Sequence, residues 1–171
     1  MSQIMRTWAA FFAFGVALIH LSLVVGSPLP AAALLLLLGA AEATWGVLVL
    51  VKDRLVAPRL ALGFAVAPLI VWSVLVVAAA LGATFPLSLG FVPMGVAALF
   101  ELAIATILSV QVRRVTAGTG KKYRAPSTGR YLVSLFAGGL VVAMLTTPAV
   151  ASAQAGGGSI TGFNLPAHSG H

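Results

Sequence analysis

LLLLLGAAEATWGVLVLV, residues 34–51, decides the class of fold. With the alanines that precede it, the run is apolar from about residue 31 to residue 51, the length that carries a helix across a hydrocarbon core of roughly 30 Å. One carboxylate, Glu42, interrupts it. An acid at mid-membrane depth costs on the order of 2.5–3.5 kcal/mol on insertion scales, so it calls for a packing partner, a proton or a metal ion.

The rest of the chain has the same character. Of its 171 residues 60% are hydrophobic, and the mean hydropathy is +1.09. Soluble domains average about 45–50% apolar. Composition therefore predicts an all-α, polytopic integral membrane bundle. The formal charge of +7 would suit a nucleic-acid binder only if the basic residues shared a folded polar face, and no such face is written in this sequence. Cysteine is absent, which excludes disulfides, thiolate metal sites and thiol nucleophiles.

Apolar segments mark five spans at about 7–25, 31–51, 60–82, 89–112 and 131–150. Proline, glycine and charged stretches separate them: GSPLP at 26–30, KDRLVAPR at 52–59, GATFPLS at 82–88 and a long polar loop from Arg113 to Arg130. These make one bundle over 1–151, followed by a tail, 152–171, that is flexible by composition.

Every lysine and arginine falls in alternate loops: Arg6; Lys52, Arg54 and Arg59; Arg113, Arg114, Lys121, Lys122, Arg124 and Arg130. Positive charge is retained on the cytoplasmic side, so the N-terminus is expected inside and the C-terminal tail outside a bacterial-type cytoplasmic membrane. The first span lacks a persuasive cleavage site and is expected to stay as a helix. The fifth carries basic, apolar and Ala-x-Ala regions ending at Ala153 or Ala155, the order of a secretory signal, but reads more simply as a last helix.

The first four spans also form two hairpins, each with a glutamate in its second helix and a basic stop after it. Such 2+2 repeats occur in small transporters. Alanine- and leucine-rich helices resemble one another by chance, and that is the simpler account of the likeness.

Helical spacing places small residues beside each polar group within the spans. Gly39, Glu42 and Gly46 share one face, Ala98, Glu101, Ala105 and Ser109 another, and Ala13, Ala17 and His20 a third. Small residues let helices approach closely in lipid, so all three polar groups are expected to face protein. At 1.5 Å per residue, Glu42, Glu101 and His20 lie roughly 13, 16 and 20 Å from the cytoplasmic ends of their spans, within one slab.

Three roles fit such a set. The acids can be neutral packing groups, bonded to backbone carbonyls or to Thr44, Ser73 or Thr106. They can form a proton relay with His20. Or the three can bind a cation, the imidazole and carboxylate donors suiting zinc, manganese or iron. The Glu-x-x-His pairs of a di-iron bundle are missing. Trp45 and Trp72 are deep enough for core packing, whereas Trp8 and Tyr131 fit an interfacial aromatic belt. Pro68 and Pro93 are candidate kinks.

In the tail, His168 and His171 stand three apart, and two imidazoles with the chain terminus can bind copper or zinc weakly. AGTGKKYR at 117–124 lacks the spacing of a phosphate loop and reads as a basic, lipid-contacting segment. No nucleophile triad, metalloprotease or dinucleotide motif occurs. With short loops and no catalytic motif, the sequence points first to a non-enzymatic accessory or assembly component of a membrane complex, with a membrane-protein partner or a second copy of itself and a capacity to handle metal. The competing expectation is a small proton- or cation-coupled transporter or channel that uses Glu42, Glu101 and His20. Nucleic acid is not expected as a partner.

Overall fold

Local sequence sets where each helix begins and ends. In the computed structural model, which describes residues 2–82, 90–118 and 127–155, the chain forms α1 (Gln3–Val24), α2 (Leu29–Val51), α3 (Pro58–Ala80), α4 (Phe91–Thr116) and α5 (Thr128–Gln154). Ser2 caps α1 by accepting a hydrogen bond from the Met5 N–H at 3.2 Å. Pro30 and Pro58 sit in the first turns of α2 and α3, where a missing N–H costs nothing. Gly26, at φ +85°, turns the chain between α1 and α2, and the Ser27 hydroxyl donates to the Leu23 carbonyl to close the end of α1.

All five helices are long and apolar enough to cross a membrane. At 1.5 Å per residue their 22 to 27 residues span about 33–40 Å; α5 extends past the apolar run that predicts it at both ends, α1 and α4 at one end, and α2 and α3 lie within two residues of theirs. Among the described residues no strand is present.

The helices alternate in direction. Gly39 of α2 faces Ala17 of α1 and Gly46 faces Ala10, an antiparallel pairing, while α5 runs parallel to α1, with Tyr131 near Thr7 and Gly138 near Trp8. Arg6, Lys52, Arg54, Arg59, Arg113, Arg114 and Arg130 consequently gather at one end of the bundle. There the Arg6 guanidinium pairs with Asp53, tying the start of α1 to the loop after α2.

α1 is the central helix, packed against α2, α4 and α5. Its faces carry Ala9, Ala10, Ala13, Val16, Ala17 and Ile19, all buried. Stacking of Phe12 on Phe100 (centroids 5.5 Å apart) joins it to α4, with Trp8 edge-on to Phe12. By contrast α3, among the described residues, packs chiefly on α4, through Trp72 and Ala65, and presents Phe64, Ile70, Val71, Val74 and Val77 outward.

The two hairpins are thus not equivalent in packing. A two-fold repeat that paired α1 with α4 would also pair α3 with α2, yet α2 and α3 do not pack along their length. A cavity of about 220 Å³ stands in that gap.

The kink expected at Pro93 is corrected. Pro93 is the third residue of α4, inside the first turn, where proline breaks no intrahelical bond. Pro68 lies inside α3 and Pro148 inside α5, so the N–H groups that would pair with the Phe64 and Met144 carbonyls are missing. Trp8 and Tyr131 do more than mark a boundary: the Trp8 indole donates to Ser134 Oγ at 2.8 Å, and the Tyr131 hydroxyl lies 3.4 Å from Thr7 Oγ1, joining α5 to α1.

Candidate functional site

Three helices deliver one titratable side chain each to a common point. On α1 the small residues Ala13 and Ala17 lead to His20, which is 1% exposed. Gly39, three residues before Glu42, lets α2 approach so closely that a Cβ there would lie 3.1 Å from the Ala17 carbonyl oxygen. Ala97 and Ala105 on α4 leave Glu101 3% exposed beside them. On α1 and α2 the buried small residues are those expected from spacing; on α4 Ala97, rather than the expected Ala98, is the buried one beside Glu101.

Their geometry is specific. His20 Nδ1 lies 3.0 Å from Glu42 Oε2, within hydrogen-bond range, and His20 Nε2 lies 4.0 Å from Glu101 Oε1, outside it. Ligand atoms from the three residues all fall within 4.8 Å of one another. In the tautomer whose Nδ1–H donates to the Glu42 carboxylate, Nε2 carries the lone pair on the ring edge nearer Glu101. Glu101 Oε1 is buried and has no hydrogen-bond partner among the described residues. Buried polar atoms are seldom left so, because the lost hydration costs about 1–3 kcal/mol, more for a charged group.

Thr44, Ser73 and Thr106, expected as alternative partners for the acids, do not serve. Each hydroxyl is exposed and donates to the carbonyl four residues back on its own helix, at Ala40, Leu69 and Leu102 respectively. Helical hydroxyls find that acceptor without leaving their own turn. The carboxyl groups are left to the imidazole and to the cavity.

The cavity runs between α2 and α3, with Leu38, Trp45, Leu60, Phe64 and Ile104 on its walls and both Glu42 and Glu101 on its lining. At the end where the basic residues gather, the Trp45 indole N–H donates to the Val56 carbonyl at 2.9 Å and closes the gap between the two helices. The short loop beneath it holds two non-glycine residues in the left-handed region, Asp53 at φ 52° and Ala57 at φ 45°.

Sequence reasoning had no signal for the cavity or for the Trp45 closure, since both depend on which helices fail to touch. It also passed over Thr146, whose buried hydroxyl oxygen has no hydrogen-bond partner among the described residues, in an apolar groove between α1 and α5. His168 and His171, the candidate copper or zinc ligands of the tail, lie outside the described residues, as do Lys121, Lys122 and Arg124.

No protein family matches this chain, and neither the curated proteins nor the solved structures give a match. What it does has to be argued from the side chains themselves.

Proposed function

We propose that the chain is a multi-pass protein of a bacterial-type cytoplasmic membrane, N-terminus inside, acting as a small proton- or cation-coupled transporter whose path passes through His20, Glu42 and Glu101. The placement in a membrane draws on the five apolar helices, and the orientation on the collection of lysine and arginine at one end of the bundle.

One observation carries the transport reading: a buried carboxylate oxygen without a partner, facing an imidazole nitrogen across 4.0 Å beside a cavity. A purely structural acid gains its place by being bonded, and Glu101 Oε1 is not. Ionisable groups in membrane interiors that face a cavity mark ion pathways more often than packing. The accessory or assembly role, which the sequence alone puts first, makes no use of that oxygen.

The two readings separate in purified vesicles. A carrier shows cation-dependent proton movement that Glu42→Gln and Glu101→Gln abolish while helical content and monodispersity persist. An accessory component shows no flux with or without the acids, and copurifies from native membranes with a partner at fixed ratio.

A further inference from the structure

The donor set at the centre is more selective than a proton path requires. Nδ1 of His20 is engaged by Glu42 at 3.0 Å, so Nε2 presents a lone pair, and the atom facing it, Glu101 Oε1, is an acceptor without a donor. Two acceptors aimed at each other are satisfied together by a cation between them. An ion bonded at about 2.0–2.2 Å to nitrogen and to oxygen fits the 4.0 Å gap at a wide angle, and a closure of about 0.6 Å makes the angle tetrahedral.

The surroundings complete such a site. Glu42, accepting from Nδ1–H, stands where the orienting carboxylate stands in carboxylate–histidine–metal chains, fixing the ring and raising the basicity of Nε2. Glu42 and Glu101 border the cavity of about 220 Å³, whose other walls are apolar, so further ligands to the ion would enter from the carboxylate side. Two carboxylates and a neutral imidazole carry together the charge that one divalent ion neutralises, which matters in a medium where net charge is costly.

Donor chemistry narrows the ion. Calcium and magnesium take oxygen ligands and gain nothing from an imidazole. Copper(I) favours thiolates and thioethers, and His20, Glu42 and Glu101 offer no sulfur. Imidazole with carboxylate suits zinc and iron(II), and manganese more weakly.

Resting on the reading of this centre as the transport site, we infer that the cation is a divalent transition metal, zinc foremost, held by His20 Nε2 and Glu101 with Glu42 orienting the ring. Only two protein ligands hold it, a strength suited to an ion that must leave again.

The test uses the full chain, purified in detergent through a tag without histidine, in a His168→Ser/His171→Ser background that removes the tail imidazoles. Equilibrium dialysis against micromolar Zn²⁺, with elemental analysis, is expected to give one ion per chain. Glu101→Gln, close to isosteric, is expected to lose it. Glu42→Gln should weaken binding about 10–100-fold while keeping one site, the behaviour of an orienting residue. Co²⁺ in place of Zn²⁺ gives a visible spectrum that should disappear in His20→Ala; were that variant to misfold, Glu101→Gln alone decides. No retained Zn²⁺, or Zn²⁺ retained equally by Glu101→Gln, overturns the assignment. Proton flux without Zn²⁺ binding overturns the metal and leaves the carrier, whereas Zn²⁺ binding without flux keeps the metal site and overturns the carrier.

Discussion

Gly39→Ala tests how the centre is held together. A methyl group at this position would sit 2.9 Å from Leu21 Cγ and 3.1 Å from the Ala17 carbonyl oxygen. The Leu21 side chain can rotate away, but the carbonyl belongs to the backbone of α1 and cannot. Since ordinary contacts begin near 3.5 Å, α2 must retreat by about 0.4 Å. His20 and Glu42 lie three residues beyond Ala17 and Gly39 and, the helices being antiparallel, reach toward each other across this contact, so the retreat lengthens the 3.0 Å His20–Glu42 bond by up to about 0.4 Å and weakens it.

Overpacking of this kind costs about 1–3 kcal/mol. Against it stands a gain of about 0.8–1 kcal/mol from replacing glycine by alanine within a helix. Gly63→Ala on α3, where a Cβ meets nothing within 4 Å, isolates that gain. Reversible unfolding in mixed micelles, followed by circular dichroism, should therefore place Gly39→Ala about 1–3 kcal/mol below Gly63→Ala. Glu42→Gln should cost less in the Gly39→Ala background than in the parent, because the bond it removes is already stretched. Equal stability of the two alanine variants, together with additive effects of Gly39→Ala and Glu42→Gln, would refute the argument that Gly39 sets the His20–Glu42 distance.

Other outcomes follow from single contacts. Trp8→Phe should lose about 1 kcal/mol, the Ser134 bond, with the edge-on packing against Phe12 kept; an unchanged unfolding midpoint would contradict that contact. Asp53→Asn should change stability by less than about 1 kcal/mol, since Asp53 is 77% exposed and its pair with Arg6 is screened by water. Because the chain has no cysteine, Ala61→Cys gives a single thiol on the cavity wall, and Trp45→Phe should speed its modification by a membrane-impermeant reagent supplied at the end of the bundle where the basic residues gather. Modification at the same rate in both backgrounds would show that the indole does not close that end.

Five helices long and apolar enough to cross a membrane were legible because hydropathy over about 20 residues reports directly on the solvent a helix prefers. The inward direction of Glu42, Glu101 and His20 was legible too, from the small residues one turn away. Neighbour relations were not. In lipid no hydrophobic force distinguishes a helix that faces protein from one that faces acyl chains. α1 and α5 have equal hydropathy, yet α1 is enclosed on most sides and α5 on few. Glu42 and Glu101 therefore look like parallel features of two similar hairpins in the sequence. Only packing shows that both reach the same histidine, that α3 stands apart from α2, and that the hydroxyls of Thr44, Ser73 and Thr106 turn back to their own helices.

Isotope labelling addresses that convergence without changing any of its residues. The chain contains two glutamates, so carboxyl ¹³C-glutamate marks Glu42 and Glu101 alone; ¹⁵N-histidine in the His168→Ser/His171→Ser background marks His20 alone. Dipolar dephasing of the His20 nitrogens, measured by solid-state magnetic resonance in lipid bilayers, should come from both carboxyl carbons, Nδ1 more strongly from Glu42 and Nε2 from Glu101, as the 3.0 and 4.0 Å separations require. Dephasing by one glutamate only, or by neither, would mean that the three side chains do not meet inside the bundle.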